Sequence, residues 1–413
     1  MVTRREFLKS SLAASGLIAW GLSVPRFLSR TAAAAPAAGR PGAKDTILVV
    51  IELTGGNDGL NTVIPYRDEL YAKYRPTLKI PTDQLRKVND ELGLHPSLEG
   101  FASLLEDKAL CIVQGVGYPN PSQSHFRSMD IWQAASTAET LNDGWLGRAL
   151  VRMPSVPAFH LAMANESSPL ALAGAPAKPP SITDLEEFIL KTAASSQADG
   201  RDQRQVIEGS AKPGGPGSNL LDFVQRTAVN TYASSRRLQE IARNYQPKVP
   251  YPVNNGLAER LKLAAQLIDA DLGARVFYVS IGNFDTHATQ ANEHANLLRQ
   301  LSDAVTAFYK DLAARGHRER LLIMTFSEFG RRAKENGSRG TDHGSAAPMF
   351  LIGGKVVPGV VGDHPSLEKL EMGNLKHHTD FRQVYAAVLD QWLGVPSKEV
   401  LGGAYQPVKV LQA

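Results

Sequence analysis

Acidic and histidine side chains follow several predicted strands of this chain, at or just beyond the point where each strand ends. The residues concerned are Asp58, Asp285, His287, Glu328, Asp342 and His343. If those strands are neighbours in one parallel sheet, their carboxyl ends meet at one edge and the side chains converge there. Carboxylates with neutral imidazoles suit Zn²⁺, Mn²⁺ or Fe, whereas carboxylates alone would suit Mg²⁺ or Ca²⁺. The pattern therefore predicts a divalent metal site, with Zn²⁺ or Mn²⁺ favoured.

Each part of this pattern also has a structural interpretation. Asp285-Thr286-His287 could be a turn whose aspartate caps the following helix. Glu328-Phe329-Gly330-Arg331 could be a salt-bridged strand end, and Asp342-His343-Gly344 could be a turn. A metal becomes the better explanation only if these segments meet, because a divalent cation removes the repulsion between close carboxylates.

Other polar residues have less certain places in the pattern. His125, beside Ser124 at a predicted helix start, is open between a functional and a structural role. His294 could face the site from one or two helical turns beyond His287, but a position on the helix surface is favoured. Arg331 or Arg332 could hold an anionic substrate, because a guanidinium forms charge-assisted hydrogen bonds with such groups.

The elements that must position these residues follow from the apolar pattern of the chain. Residues 46–53 form a near-continuous β-branched and apolar run, which predicts a strand buried on both faces. Further strands are predicted at 110–114, 275–281, 321–326 and 347–353. Helices are predicted at 98–105, 122–132, 219–243, 256–270, 297–312 and 379–393. Strands that alternate with helices predict an α/β fold with a mostly parallel sheet, interrupted by a loop-rich insertion at about 165–218.

The N-terminal segment has the order of an export signal. Arg4 and Arg5 precede Phe7-Leu8-Lys9, an apolar run spans 11–24, and an Ala-rich stretch follows at 31–38. Paired arginines in this setting resemble a twin-arginine signature. We therefore predict a signal peptide at 1–35, a linker at 36–44 and a mature domain at 45–413. The expected location is periplasmic, with membrane contact only during export; an uncleaved anchor is the alternative.

Charge and cysteine content exclude several classes of protein. The net charge is +4, and residues 1–35 alone account for it with five basic residues against one acidic residue. The mature chain is therefore about neutral, so a nucleic-acid partner has no electrostatic support. The single cysteine, Cys111, lies in an apolar run and is predicted to be a small buried hydrophobe rather than a catalytic thiol.

Several motifs in one order resemble the DUF1501 family over about 45–400. They are Gly55-Gly56-Asn57-Asp58-Gly59-Leu60-Asn61, Ser124-His125-Phe126, Phe284-Asp285-Thr286-His287, Ser327-Glu328-Phe329-Gly330-Arg331, Gly340-Thr341-Asp342-His343-Gly344 and Asp380-Phe381-Arg382-Gln383-Val384-Tyr385. Members of this family look like distant relatives of the alkaline phosphatase and sulfatase superfamily. The resemblance implies an alkaline-phosphatase-like sheet with helices on both faces and a metal site at strand ends.

The resemblance also implies roles for individual residues. Asp58 or Asn57 would match a ligand from the first strand, and Asp285 with His287 an Asp/His pair. Glu328 would replace the aspartate of an Asp-His pair, and His343 would match the last histidine. Ser124 would stand where a nucleophile does, next to His125. The sulfatase motif Cys/Ser-x-Pro-x-Arg is absent, which argues against formylglycine chemistry.

Two functions remain open at this point. The first is an exported metal-dependent hydrolase that acts on an anionic phosphate or sulfate ester. The second is a non-catalytic periplasmic or cell-surface protein that binds a surface polymer or assembles with a partner. The frequent proximity of DUF1501 and DUF1800 genes suggests a DUF1800 protein as that partner. The missing ligand beside Glu328 favours the second function.

Overall fold

The computed structural model describes residues 46–153, 156–184, 238 and 240–412. The chain divides into two compact units. The larger comprises Pro41–Thr183, Pro247–Ala265 and Gly273–Ala413, and it carries the sheet. Of the described residues, the smaller unit contains 184, 238, 240–246 and 266–272. The predicted leader and linker, most of the predicted insertion and most of the predicted helix at 219–243 lie outside the described residues.

A nine-stranded sheet organises the larger unit. Its strands are β1 (Ile47–Leu53), β5 (Leu110–Gly117), β6 (Ala158–Leu161), β7 (Ser181–Ile182), β8 (Val276–Ile281), β9 (Leu321–Phe326), β10 (Ala347–Gly353), β11 (Gly359–Val361) and β12 (Thr379–Asp380). Their order in the sheet is β11-β5-β10-β9-β1-β8-β6-β7, with β12 beside β5. A separate small sheet has the order β2-β4-β3 and contains β2 (Val63–Pro65), β3 (Arg86–Lys87) and β4 (Leu92–Leu94).

The centre of the large sheet is β1, which is buried along its whole length. It pairs in parallel with β8 on one side and β9 on the other. A strand covered on both faces gains most from apolar side chains, which explains its near-continuous hydrophobic run, in which Glu52 is the polar exception. The prediction of a mostly parallel α/β sheet is confirmed, with one difference: β10 runs antiparallel to both β9 and β5.

Helices cover both faces of the sheet. They are α1 (Gly59–Thr62), α2 (Glu69–Tyr74), α3 (Glu99–Glu106), α4 (His125–Ala134), α5 (Trp145–Arg152), α6 (Gly256–Asp269), α7 (Gln290–Ala314), α8 (Phe381–Ala387) and α9 (Ser397–Leu401). Short 3-10 turns occur at Thr82–Gln84, Leu170–Leu172 and Arg318–Arg320, and a π-helical turn at Val388–Leu393 continues α8. None of the helices in the described part of the chain is long and apolar enough to cross a membrane.

On one face, α3 and α7 pack together. The Ser302 hydroxyl of α7 accepts a hydrogen bond from the Phe101 N–H of α3, and the Phe101 ring meets Phe350 of β10 edge to face. The apolar residues of α7 recur at helical spacing and are buried. This is the packing predicted from the amphipathic pattern at 297–312.

On the other face, an aromatic stack joins α4 to the sheet and to α8. The Trp132 ring lies parallel to Phe326 of β9 at 5.5 Å and to Phe381 of α8 at 4.3 Å between centroids. Its side chain is 2% exposed. Offset stacking of large rings adds to the free energy of burial, so Trp132 fixes α4, which begins at His125, against the sheet.

We expect Trp132→Ala to lower the free energy of unfolding by about 3–5 kcal/mol, because it opens a cavity between two rings. Equilibrium denaturation in urea measures the change. Phe126→Ala, on the same helix but at a side chain that is 87% exposed, is the matched control and should stay within about 0.5 kcal/mol of the wild type. Equal losses in the two variants would contradict this account of the core.

Candidate functional site

Four loops meet at one edge of the large sheet, after the carboxyl ends of the parallel strands β1, β5, β8 and β9. The last of them connects β9 to β10 and also carries Asp342 and His343. Because β10 is antiparallel to its neighbours, the residues before its start lie at the same edge as the residues after the ends of the others. The acidic and histidine side chains therefore converge at this edge, as predicted. The segment with Asp342 and His343 leads into a strand that runs in the opposite direction to the others.

Asp285 is at the centre of this cluster. Its Oδ1 lies 3.0 Å from His287 Nε2 and 3.2 Å from His343 Nε2, and its Oδ2 lies 3.3 Å from His125 Nε2. The two imidazole nitrogens of His287 and His343 are 2.9 Å apart. Ligand atoms at bond lengths of about 2.0–2.1 Å around a tetrahedral Zn²⁺ would be separated by roughly 3.3 Å. The distance of each histidine nitrogen from Asp285, and that between His287 and His343, is therefore close to the separation of two ligands of one ion.

The histidines are oriented so that their Nε2 atoms face the cluster. His125 Nδ1 lies 2.8 Å from Glu328 Oε1, and His343 Nδ1 lies 2.8 Å from the carbonyl oxygen of Gln123. A carboxylate or carbonyl oxygen accepts hydrogen bonds, so each Nδ1 carries the proton and donates it. The Nε2 of each neutral ring is then an unprotonated potential ligand, which is the arrangement found around protein-bound metals.

His125 gives a further indication that something belongs in the cluster. Its Nε2 atom is buried and, among the described residues, forms no hydrogen bond of ordinary geometry; Asp285 Oδ2 lies 3.3 Å from it. A buried polar atom of this kind requires an explanation. Together, His125, Asp285 and His343 offer ligand atoms that all lie within 4.8 Å of one another.

The environments of the site residues shift their pKa values in different directions. The hydrogen bond to Glu328 raises the pKa of His125. Burial lowers the pKa of His343, although the hydrogen bond to Gln123 opposes that effect. Burial also raises the pKa of Asp285, but the hydrogen bond and charge of Arg331 outweigh it and leave the value below the usual range. Asp285 is therefore a carboxylate and His343 a neutral imidazole near neutral pH.

Glu328 has a supporting position behind His125. Its side chain is fully buried, and its Oε1 accepts hydrogen bonds from the Gly55 N–H at 2.8 Å as well as from His125. The Ser327 hydroxyl lies 3.1 Å from Oε2 and 2.7 Å from the Leu53 carbonyl oxygen, so its one proton serves either acceptor. Because the side chain is fully buried and its Oε1 accepts from two donors, these contacts correct the expectation that Glu328 is a direct metal ligand. The residue orients His125 instead.

Arg331 is buried rather than presented to solvent. Its guanidinium donates to the carbonyl oxygens of Gly56 at 2.7 Å and Thr341 at 2.8 Å, and also to the carbonyls of Gly55 and Phe284. Its Nη2 lies 2.6 Å from Asp285 Oδ1. With no exposed donor, this side chain does not reach a substrate, which corrects the expectation of an anion-binding role. It joins three loops and orients the Asp285 carboxylate.

The loop after β1 approaches Arg331 and Asp285 through two glycines. Gly55 and Gly56 have φ values of +117° and +79°. A Cβ atom at Gly55 would lie 2.5 Å from the Asp285 nitrogen, and one at Gly56 would overlap the Phe329 ring. Left-handed backbone and this close packing both require glycine, which explains the Gly55-Gly56 pair of the sequence motif.

Asp58 lies in a different environment from the one predicted. Its carboxylate forms a buried, two-contact ion pair with Arg75, at 2.5 Å and 2.9 Å, and accepts a 2.5 Å hydrogen bond from Gln290 Nε2. The charge of Arg75 overcomes the effect of burial and lowers the pKa of Asp58 to about 2. Because both of its oxygens are occupied, Asp58 is not available as a metal ligand, which corrects that expectation. Asn57, the alternative residue in this loop, accepts a hydrogen bond from Thr62.

The remaining predicted residues lie at the solvent side of the cluster. Asp342 Oδ1 is 3.7 Å from His287 Nδ1 and accepts a hydrogen bond from Asn336 Nδ2 at 3.0 Å. Ser124 is exposed and occupies the N-cap position of α4, where its side chain caps no N–H of that described helix. Its hydroxyl is therefore accessible next to His125.

Residues 45–402 match the family described as "Protein of unknown function (DUF1501)". The chain belongs to this family. The match confirms the resemblance drawn from the ordered motifs, and it covers every residue of the cluster. No curated protein matches the chain.

Solved structures similar to this DUF1501 chain include sulfatases and alkaline phosphatases. The complex titled "Crystal structure of Ps i-CgsB in complex with k-i-k-neocarrahexaose" is 10% identical, covers 87% of this chain and 72% of its own, and has a TM-score of 0.36. The PsFucS1 sulfatase from Pseudoalteromonas sp. is 11% identical, with 97% and 77% covered and a TM-score of 0.35. The alkaline phosphatase from the Antarctic bacterium TAB5 is 13% identical, with 74% and 91% covered and a TM-score of 0.28.

Sequence reasoning missed the residues that support the DUF1501 site. Arg75 and Gln290 lie outside the polar motifs, and Gln123 acts through a backbone carbonyl, so residue type gives no signal for it. The favoured surface position for His294 was wrong: the residue is buried, and its Nε2 is 2.9 Å from Asn57 Oδ1. Burial lowers the pKa of His294 to about 3, so the ring is neutral.

The Asp58–Arg75 pair should make stability depend on pH in the acid range. A carboxyl with a depressed folded-state pKa stabilises the protein above its unfolded pKa of 3.8, and the effect is lost as the pH falls towards about 2. We expect this group to contribute about 2 kcal/mol. Urea unfolding of the wild type and Asp58→Asn between pH 4.5 and about pH 2 measures it.

The variant should be less stable at neutral pH, because Arg75 is left buried without its charge partner. The informative quantity is the difference between the two pH profiles, which should shrink as the pH falls through this window. A difference that stays constant with pH would refute the assigned pKa.

Proposed function

We propose that this protein is a metal-dependent hydrolase of phosphate or sulfate esters. The observation that supports this most directly is the convergence of His125, His287 and His343 on the Asp285 carboxylate. His125 and His343 each donate the Nδ1 proton to an acceptor, which leaves their Nε2 atoms free to bind an ion. We assign these four residues as the metal ligands.

The donor atoms indicate which ion would bind. Three imidazole nitrogens and one carboxylate suit Zn²⁺ or Mn²⁺ better than Ca²⁺ or Mg²⁺, which prefer oxygen ligands. Charge agrees with a divalent ion: the carboxylates of Asp285, Glu328 and Asp342 lie among these histidines, and Arg331 pairs with the first of them. A divalent cation would offset the remaining negative charge.

A bound ion would supply Lewis acidity towards an ester oxygen and lower the pKa of a coordinated hydroxyl or water. Ser124 is the nucleophile that we propose, because its hydroxyl is exposed beside His125. The first turn of α4 also presents backbone N–H groups, which favour an anionic ester. Glu328 holds the His125 ring in place, and Asp342, half-exposed next to His287, is placed to accept a proton from water.

Export is part of this proposal. A twin-arginine leader at 1–35 would deliver the folded protein to the periplasm, where a surface polymer carrying ester groups is a suitable substrate. The Arg4-Arg5 motif and the apolar run that follows it support this part of the proposal. We also propose a DUF1800 protein as a partner. Co-purification with the exported chain tests this proposal.

One observation favours a second function, that of a non-catalytic binding or assembly protein. Arg331 Nη2 bonds Asp285 Oδ1 at 2.6 Å, so this carboxylate has a cationic partner without a metal. With Glu328 also engaged by protein groups, the site could persist as a structural cluster on a retained fold. The two functions differ in whether the folded protein binds metal and turns over an ester.

The ligand assignment predicts the metal content of variants. Asp285→Ala and His343→Ala should each reduce bound Zn²⁺ or Mn²⁺ from about one equivalent to less than roughly one tenth, because each removes a ligand from a four-ligand set. Asp303→Ala removes an exposed carboxylate elsewhere and is the control. Elemental analysis of folded, gel-filtered protein measures the content. Stoichiometric metal in either ligand variant would eliminate the site as assigned.

The assignment of Ser124 predicts a loss of turnover. With metal bound, Ser124→Ala should lower kcat/KM for an aryl phosphate or aryl sulfate by at least about 100-fold, because it removes the attacking oxygen. Ser136→Ala, beyond the end of the same helix, is the matched control. Undiminished turnover would assign the attack to water instead of Ser124, whereas bound metal with no turnover by the wild type would favour the binding function.

A further inference from the structure

A chain of buried side chains runs behind the metal cluster, from Arg75 to Arg331. Arg75 holds Asp58 from one side, and Gln290 Nε2 donates to Asp58 Oδ2 from the other at 2.5 Å. The Thr341 hydroxyl then donates to Gln290 Oε1 at 2.6 Å. Finally, the Thr341 carbonyl accepts from Arg331 Nη1 at 2.8 Å, and Arg331 reaches Asp285. All of the members before Asp285 are buried.

This chain links the two segments that carry adjacent ligands. Gln290 is the first residue of α7 and lies three positions after His287. Thr341 lies two positions before His343. The same segments are joined through their backbones, because the Thr341 N–H donates to the Thr286 carbonyl at 3.2 Å and the Gln290 N–H donates to the Arg339 carbonyl at 3.0 Å. The side-chain contact between Gln290 and Thr341 is a further link between these paired loops.

The direction of each hydrogen bond is determined by chemistry. Asp58 is a carboxylate and can only accept, so the amide of Gln290 must present its nitrogen there and its oxygen to Thr341. The oxygen of the Gln290 amide therefore needs a hydrogen-bond donor, and the Thr341 hydroxyl is the donor in this chain of contacts. Because water does not reach these atoms, a lost bond leaves a buried polar group without a substitute, and the loops must shift to recover one.

We propose that Gln290 and Thr341 are positioning residues for the metal site, with Asp58 as their fixed anchor. Asp58, in this view, contributes to metal binding at a distance by holding the loops of His287 and His343 at ligand spacing. The inference rests on the proposed metal site and adds residues that touch no metal or substrate. Groups that orient ligands in this way commonly change metal affinity by about 10–100-fold when removed.

Thr341 allows a test with closely matched variants. Thr341→Val keeps the shape of the side chain and removes the hydroxyl, whereas Thr341→Ser keeps the hydroxyl and removes a methyl group. We expect Thr341→Val to weaken Zn²⁺ binding by about 10-fold or more and Thr341→Ser to stay within about threefold of the wild type. Competition against a chromophoric chelator measures the affinity at a temperature where circular dichroism shows each variant to be folded.

Ser302→Ala is the control for a general effect of lost buried hydroxyls. Ser302 is a buried residue of the same helix as Gln290, and its hydroxyl bonds α3 instead of the site loops. The Ser302→Ala substitution should lower the melting temperature without changing the Zn²⁺ affinity. If Thr341→Val does not fold, Gln290→Met, which removes both polar ends at nearly constant length, takes its place with the same expected loss.

The outcomes separate this inference from the proposed function. Zn²⁺ binding by the wild type that is unchanged in Thr341→Val or Gln290→Met would overturn the positioning role and leave the metal site standing. Equal weakening in Thr341→Ser and Thr341→Val would also overturn it, because the hydroxyl would then not be the cause. No binding of Zn²⁺ or Mn²⁺ by the folded wild type would overturn the metal site itself, and the positioning role with it.

Discussion

The Asp285 carboxylate is the interaction on which the site depends. Three histidines share this carboxylate, and Arg331 holds it from the protein side through a 2.6 Å contact. Three imidazole nitrogens lie within 3.3 Å of its two oxygens. Such a concentration of lone pairs is unfavourable unless a proton or a cation is shared among them. Every supporting contact of the neighbouring loops serves to keep these groups together.

The sequence allowed the sheet and the edge that bears the site to be predicted. The buried strands β1, β8 and β9 are mostly apolar, so their bounds could be read closely. The antiparallel direction of β10 could not, because an apolar strand buried on both faces has the same pattern in either direction. The placement of His343 was nevertheless correct, since the start of an antiparallel strand and the end of a parallel one lie at the same edge.

The roles of individual acidic residues were harder to predict, because a carboxylate takes its role from partners that are distant in sequence. Glu328 was expected to bind metal, but its oxygens meet the Gly55 N–H and the His125 ring. Asp58 was expected to do the same, but Arg75, in a segment without a polar motif, neutralises it. Residue type identified the groups that could act, and only the fold separated the proposed ligands from the residues that hold them.

The two arginine–aspartate pairs show what makes this difference. Asp58 and Asp285 each bond a buried guanidinium, so pairing with arginine does not by itself decide a role. Asp58 is enclosed: its side chain has no exposure, and Arg75 and Gln290 occupy both oxygens. Asp285 remains 44% exposed, and its Oδ2 faces a histidine nitrogen that lacks any other partner in the described part of the chain. The enclosed Asp58–Arg75 pair therefore anchors loops. The open Asp285–Arg331 pair leaves Asp285 Oδ2 available to a bound group, and the chemistry of the site follows from that oxygen.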